Sequence, residues 1–154
     1  MQVSRDGEGG ADKPHPEQAD PGRRRAVVVE DEFVVFLSLR DLLESLGCEV
    51  VGSAQDASAA VDLVHSLRPD FVLMDLGLGG SDALAATRAI TSETAARVIV
   101  VTAYGESYTR AARKAGASRL LTKPIQEAEL AEAIAQLITP ATDNQPRRGK
   151  APPK

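Results

Sequence analysis

The chain has 154 residues, of which 43% are hydrophobic and 26% charged, which is ordinary for one globular domain. Its apolar runs are far shorter than the roughly 20 residues that cross a bilayer. Its polar N-terminus also lacks the apolar middle of a secretory signal, so we expect a cytoplasmic protein without a membrane span. The single cysteine, Cys48, excludes an internal disulfide framework and a cysteine-rich zinc site, and we expect a small buried thiol there.

Charge divides the chain into regions. Residues 26–138 hold nine Lys and Arg against sixteen Asp and Glu, a net charge of −7, whereas the last sixteen residues carry +3. An acidic domain repels a phosphate backbone, which argues against nucleic-acid binding. Residues 1–22 and 140–154 hold few large apolar side chains, so we expect a disordered N-terminal arm and a disordered basic tail around one domain at residues 23–139.

Between the arms, short apolar runs alternate with helical periodicity five times. β-Branched runs predict strands buried on both faces, and apolar residues at spacings of three and four predict amphipathic helices. In the first helix these spacings place Phe33, Leu39 and Leu42 on the apolar face. Asp56 is the expected N-cap of the second helix, and Gly47 and Gly116 end the first and fourth helices. The predicted elements are strand Arg25–Val29, a helix from Phe33 to Gly47, strand Glu49–Ser53, helix Ala57–Leu67, strand Phe71–Met74, the glycine-rich loop Gly77–Gly80, helix Asp82–Thr91, strand Val98–Val101, helix Glu106–Ala115, strand Leu120–Leu121 and helix Glu127–Ile138.

This alternation predicts an α/β fold. Parallel strands joined by right-handed helical crossovers give a five-stranded doubly wound sheet, flavodoxin-like with the order 2-1-3-4-5 and five helices. In such sheets ligands bind beyond the carboxyl ends of the strands. The residues at those ends are therefore the candidates for chemistry.

Acidic residues follow the first strand where a dinucleotide-binding fold would have glycines. Glu30, Asp31 and Glu32 stand there, and Asp75 follows the third strand. Carboxylates that converge in a cleft repel a phosphate unless a cation intervenes, and hard oxygen ligands suit Mg²⁺, or Mn²⁺ in its place. We therefore expect the cleft to bind a metal ion, and the bound metal ion to allow a phosphoryl group to enter.

With a metal present, Asp75 is the candidate nucleophile that forms an acyl phosphate. Thr102, after the fourth strand, offers a hydroxyl, and Lys123, after the fifth, offers a positive charge to the phosphoryl oxygens. Structural alternatives exist for the acids. Asp31 could merely cap the first helix, and Asp75 could form an Asx turn.

The motifs Val27–Glu32, Val72–Leu76, Val100–Ala103 and Ala115–Pro124 together resemble the receiver domain of two-component response regulators, over about residues 24–139. The resemblance implies a phosphohistidine donor on a sensor histidine kinase or a histidine phosphotransfer protein. It implies Mg²⁺ bound by Asp31, Asp75 and the backbone carbonyl of Gly77, with Glu30 acting through water. It also implies a cis peptide bond between Lys123 and Pro124.

Two positions depart from the family pattern. Leu120 stands three residues before Lys123, where the family usually has an aromatic switch residue. Tyr104, two residues past Thr102, could replace that group over the reactive carboxylate, or it could be an exposed loop tyrosine. Gly77 offers no side chain to orient an attacking water.

The leading hypothesis is a stand-alone response regulator, since no pattern of a second domain follows Ile138. We expect it to act through contact with an unidentified output partner or a second copy, using its fourth helix, fifth strand and fifth helix. It would catalyse only its own phosphorylation and dephosphorylation. Alternatives are a phosphate shuttle or sink in a multistep phosphorelay, a metal-dependent phosphatase-like hydrolase and an unphosphorylated interaction module.

Overall fold

A computed structural model describes residues 22–78 and 80–138. The predicted tail and nearly all of the predicted N-terminal arm lie outside these residues. The strands are β1 (Arg24–Val29), β2 (Cys48–Ala54), β3 (Phe71–Asp75), β4 (Arg97–Thr102) and β5 (Arg119–Thr122). The helices are α1 (Phe33–Ser45), α2 (Ala57–Leu67), α3 (Gly80–Glu93), α4 (Thr109–Lys114) and α5 (Glu127–Ile138).

The strands form one parallel sheet in the order β2-β1-β3-β4-β5, which confirms the predicted flavodoxin-like order. Alternate side chains of each strand point to opposite faces of the sheet. One face packs against α2, α3 and α4 around residues such as Met74 and Ile90. The other packs against α1 and α5 around Leu43, Phe71 and Leu130. Helices on both faces explain why the central strands are almost continuously apolar.

Several local predictions are confirmed in detail. Helices α2 and α5 have the predicted bounds, and the Asp56 carboxylate accepts a hydrogen bond from the Ala59 amide at 2.8 Å as the N-cap of α2. Cys48 is buried, and burial raises the pKa of its thiol. Gly47 and Gly116 have positive φ angles of 88° and 100° just past their helices, as helix-ending glycines do.

Two helix starts and one buried face were predicted wrongly. Helix α3 begins at Gly80, two residues before Asp82, and the expected loop is partly a 3₁₀ turn over Leu76–Leu78. Helix α4 begins at Thr109, because a 3₁₀ turn occupies Gly105–Tyr108. Phe33 was placed on the apolar face of α1, yet it is 64% exposed.

In the described part of the chain, no helix is both long enough and apolar enough to cross a membrane.

Candidate functional site

Parallel pairing brings the carboxyl ends of four strands to one edge of the sheet. Asp75 and Thr102 are the last residues of β3 and β4, and Glu30 and Lys123 directly follow β1 and β5. Asp31 comes next after Glu30. We call these five residues the strand-end site. All five were predicted to converge from the ends of four strands, and the side-chain contacts are as follows.

The Asp75 carboxylate is 4% exposed and has a different neighbour at each oxygen. Its Oδ1 accepts a hydrogen bond from the Gly77 amide at 2.8 Å, and its Oδ2 lies 3.3 Å from the Lys123 ammonium nitrogen. The first contact is the Asx turn considered above. The turn therefore fixes the carboxylate, while Oδ2 remains directed at the cation.

Gly77 also keeps space open beside that carboxylate. A Cβ atom at position 77 would lie 3.2 Å from Oδ1 and 3.3 Å from Oδ2 of Asp75, tighter than ordinary van der Waals contact. Gly77 itself is exposed. A glycine here leaves one side of the Asp75 carboxylate accessible.

Glu30 is buried to 4% exposure and is incompletely satisfied. Its Oε2 accepts a hydrogen bond from the Glu32 amide at 3.2 Å, whereas its buried Oε1 has no hydrogen-bond partner and lies 3.6 Å from the Lys123 ammonium. Burial, helped by the neighbouring Asp75 carboxylate, raises the pKa of Glu30 to about 7, and Lys123 only partly opposes this. The site thus contains an acidic oxygen in need of a partner.

Asp31 completes a cluster of acids. Glu30, Asp31 and Asp75 each offer a carboxylate oxygen, and the three atoms lie within 4.8 Å of one another. Asp31 is exposed, and it is Glu32 that stands at the N-cap of α1, without a side-chain capping bond. The helix-cap alternative for Asp31 therefore does not hold. Clustered oxygens with one orphaned member fit a small divalent cation such as Mg²⁺ or Mn²⁺.

Thr102 is buried, and its backbone and side chain are both fixed. Its carbonyl accepts a hydrogen bond from the Lys123 amide at 2.8 Å, and its Oγ1 accepts one from the Tyr104 amide at 3.0 Å. Because the hydroxyl accepts through its oxygen, its proton remains available for donation. The peptide bond between Lys123 and Pro124 is cis, as the resemblance implied.

Leu120, which replaces the usual aromatic residue, and Tyr104, its possible substitute, lie in different surroundings. The Tyr104 side chain is 68% exposed, and its ring centroid lies 6.3 Å from that of Tyr108. Leu120 is partly buried in the cluster on the α2–α4 face of the sheet, and Tyr108 packs against the same cluster. Tyr108 was not singled out from the sequence, since an aromatic residue near a helix start carries no distinctive signal.

An apolar surface next to the site was also missed. Phe33 and Val34 are 64% and 73% exposed in the first turn of α1. Beside them a cavity of about 530 Å³ reaches the site. It is lined by Val34, Val35, Ser38, Leu39, Leu42, Lys123, Pro124 and Ile125. Periodicity alone could not reveal this surface, because it assigned Phe33, Leu39 and Leu42 to the buried face of α1 and did not single out Val34.

Known proteins are similar to this chain in sequence and in fold. The chain matches the response regulator receiver domain family over residues 26–135. It is 36% identical over 112 residues to the transcriptional regulatory protein PdtaR of Mycobacterium tuberculosis, covering 72% of this chain and 55% of that protein. It is 31% identical over 113 residues to the chemotaxis protein CheY of Thermotoga maritima, covering 72% and 94% respectively.

Among solved structures, a LuxR-family two-component response regulator from Aurantimonas sp. SI85-9A1 superimposes with a TM-score of 0.69 and 35% identity. The match covers 80% of this chain and 95% of that one. The chain spans about half the length of PdtaR, so the stand-alone organisation stays a prediction. The match over most of the domain, together with the observed strand order, shows that the chain belongs to the response regulator receiver domain family.

Proposed function

We propose that this chain is a response regulator that accepts a phosphoryl group on Asp75 from a phosphohistidine. The observation that carries the proposal is the geometry of the Asp75 carboxylate, with Oδ1 held by the Gly77 amide at 2.8 Å and Oδ2 3.3 Å from the Lys123 ammonium. A nucleophile fixed in this way needs little reorganisation before it reacts. The donor would be a sensor histidine kinase or a histidine phosphotransfer protein, acting in the cytoplasm.

In the proposed transfer, a carboxylate oxygen of Asp75 attacks the phosphorus atom of the phosphohistidine. A phosphorus–oxygen bond forms, the phosphorus–nitrogen bond breaks, and the histidine leaves with the bonding electron pair. Lys123 neutralises charge on the phosphoryl oxygens, and the Thr102 hydroxyl donates a hydrogen bond to one of them. Positioning and charge neutralisation then supply most of the catalysis.

The acidic cluster supports a divalent cation in the same site. Glu30, Asp31 and Asp75 would hold Mg²⁺ or Mn²⁺, with the carbonyl of Gly77 as a further ligand and Glu30 acting through a water molecule. When bound, the cation would neutralise the carboxylates that otherwise repel an incoming phosphoryl group. The orphaned Oε1 of Glu30 is the observation in this structure that favours such a ligand set.

The exposed apolar turn of α1 suits the approach of the phosphodonor. Phe33 and Val34 border a cavity that continues to Lys123. A donor helix that packs there would bring its phosphohistidine toward Asp75, and exposed apolar surface is typical of such contacts. We propose that this surface receives the kinase or phosphotransfer protein.

The output surface is proposed to be the face formed by α4, β5 and α5. Helix α4 carries Arg110, Arg113 and Lys114, and α5 carries Glu127, Glu129 and Glu132. Opposite charges on adjacent elements allow an isologous contact with a second copy, in which each α4 faces the partner's α5. An output protein with similar charge separation would use the same face. Thr102, with Tyr104 or Tyr108 in place of the usual aromatic at Leu120, would couple this face to Asp75.

Labelling with acetyl phosphate tests the central proposal. In the presence of Mg²⁺ the chain should gain the mass of one phosphoryl group in a base-labile adduct, and Asp75→Asn should abolish the gain. Asp70→Asn, which changes an aspartate beyond the strand-end site, is the matched control and should label normally. Unchanged labelling of the Asp75→Asn variant would reject Asp75 as the acceptor.

A further inference from the structure

Arginine side chains gather at the edge of the sheet opposite the strand-end site. Arg24 and Arg25 begin β1, Arg97 begins β4, and Arg68 lies between α2 and β3. Because the strands are parallel, these positions share the amino-terminal edge of the sheet. The domain is acidic as a whole, so this concentration of positive charge is local.

Strand register places two of these arginines around one cavity. Ala26, Phe71 and Arg97 are aligned across β1, β3 and β4, and Arg24 precedes Ala26 by two residues, on the same face. That face is the one covered by α5. A cavity of about 280 Å³ lies there, lined by Arg24, Asp70, Phe71, Ala95, Arg97, Ile134 and Leu137.

Positive charge at this edge exceeds the negative charge near it. Within the described ranges, no salt bridge involves Arg24, Arg68 or Arg97. The Arg24 and Arg25 guanidinium groups donate to the neutral carbonyls of Gly22 and Arg68, at 3.4 and 2.8 Å.

Two negative groups face the same cavity. Asp70 lines it, and its Oδ2 accepts a hydrogen bond from the Arg25 amide at 2.8 Å. The carboxyl end of α5 adds roughly half a negative charge. The two guanidinium groups that line the cavity, those of Arg24 and Arg97, therefore outweigh one carboxylate and a helix end.

We propose that this cavity binds a small anion that carries a carboxylate or phosphate group. The anionic head would lie between the guanidinium groups of Arg24 and Arg97, which suit planar bidentate pairing with such oxygens. Phe71 and Ile134 are buried beneath the cavity and Leu137 is partly exposed at its rim, so the guanidinium groups supply most of the accessible lining. A nucleic acid is a poor occupant, because its many phosphates would meet a domain with a net charge of −7 over residues 26–138.

Titration of the full chain, followed by amide NMR in buffer free of divalent cations, tests the proposal with butyl phosphate and inorganic phosphate as probes. Both should give saturable shifts at the amides of Asp70, Phe71 and Arg97. Their affinities should agree within about threefold, because the cavity offers little accessible apolar surface to the butyl chain. Shifts confined to Asp75 and Gly77, or shifts that never saturate, would overturn the proposal.

Matched variants separate a built site from general electrostatics. Arg97→Gln and Arg24→Gln should each weaken butyl phosphate binding about tenfold, the loss expected for a charge-assisted hydrogen bond. Arg88→Gln removes the same charge from an exposed position on α3 and should leave the affinity unchanged. Equal losses in all three variants would overturn the site, because only bulk charge would then matter.

A further titration with a peptide distinguishes a small molecule from a protein partner as the source of the anion. A Leu–Glu dipeptide blocked at both ends carries the same chemistry as a segment of a protein partner. Under the proposal it should bind no better than butyl phosphate. Clearly tighter binding of the dipeptide would overturn the assignment to a small molecule.

Discussion

Glu30 and Asp75 show how one cluster gives two carboxylates different surroundings. Both are buried, but the Asp75 carboxylate receives an amide hydrogen bond at Oδ1 and an ammonium group at Oδ2. Glu30 has a longer amide hydrogen bond of 3.2 Å, a more distant ammonium group and one oxygen without a hydrogen bond. Its pKa of about 7 follows from that poorer solvation. The charge of Glu30 therefore changes near neutral pH.

Replacing Glu30 should change how stability depends on pH. In metal-free buffer the unfolded chain releases the Glu30 proton near its ordinary pKa of 4.5, whereas the folded chain keeps it until about pH 7. The folded state therefore binds more protons in this window, and its stability falls as pH rises through it. Glu30→Gln cannot titrate. Its stability relative to wild type should therefore rise by on the order of 2 kcal/mol from pH 4.5 to 7.

Urea denaturation across this range measures the difference. Gln keeps an oxygen for the Glu32 amide, so the variant preserves the local hydrogen bond. Parallel pH profiles for the two proteins would show that Glu30 titrates normally.

The residues of the site were predictable because topology alone determines which strand ends meet. Once the alternation indicated a parallel sheet, Asp75, Thr102 and Lys123 had to share an edge with the acids after β1. The burial of Glu30 and the exposure of Tyr104 were not predictable, since both depend on how neighbouring loops pack. Asp75 shows a further limit, because the structural Asx turn and the proposed phosphoacceptor role belong to one residue.

At the scale of elements, helix boundaries were less predictable than helix existence. An apolar period of 3.6 residues does not distinguish an α-helix from a leading 3₁₀ turn. For this reason α4 was placed three residues too early, at Glu106 instead of Thr109. At α3 the predicted start was too late: Gly80 was assigned to a loop because it is a glycine, but the helix begins there. Where a capping side chain was available, as Asp56 is for α2, the start was correct.

That cap should make a measurable contribution to stability. Asp56→Ala removes the hydrogen bond to the Ala59 amide and should lower the free energy of unfolding by about 1 kcal/mol. Asp62→Ala makes the same exchange at an exposed position within α2 and gains helix propensity, so it should change stability by less than about 0.5 kcal/mol. Thermal or urea unfolding compares the two. Equal effects would mean that the cap contributes nothing specific.

A substitution in the first turn of α1 should separate the docking of the donor from the phosphoryl transfer to Asp75. Val34 is 73% exposed, so Val34→Asp should fold normally while placing a charge on the proposed donor surface. Transfer from a purified cognate kinase should slow by about tenfold, the effect of an unfavourable charge in an apolar interface. Labelling by acetyl phosphate should be unchanged, because that donor needs no docking surface.

The two rates should therefore diverge in this variant. A parallel fall in both would place the effect in the strand-end site. An unchanged rate of phosphoryl transfer from the kinase would show that the first turn of α1 does not contact the donor.

At the scale of the whole molecule, charge is separated along the strand axis. The carboxyl edge of the sheet carries Glu30, Asp31 and Asp75 with Lys123, whereas the amino edge carries arginines that bond mostly to neutral carbonyls. Packing of the apolar layers between the two edges brings side chains of like charge close to one another at each edge of the sheet. Part of the folding free energy therefore offsets repulsion at the strand-end site, which a cation or a neutral side chain would relieve.

Asp75→Asn should for this reason raise the stability of the metal-free protein. Asparagine keeps an oxygen for the Gly77 amide while removing one of three crowded negative charges, and Lys123 can still pair with Glu30. We expect the melting temperature to rise by about 3 °C or more, corresponding to about 1 kcal/mol. Mg²⁺ should stabilise the wild type by about 2.7 kcal/mol at a hundred times its dissociation constant, and the variant much less.

Calorimetry with and without MgCl₂, against NaCl at equal ionic strength, measures both effects. Arg40 and Asp41 form an exposed ion pair on α1, and Asp41→Asn controls for the loss of one surface carboxylate. It should leave the response to Mg²⁺ intact, because Asp41 lies outside the acidic cluster. If Asp75→Asn melted below wild type in metal-free buffer, the pairing of Asp75 with Lys123 would outweigh the repulsion among the acids. The strand-end site would then be a stabilising ion pair, in no need of a cation.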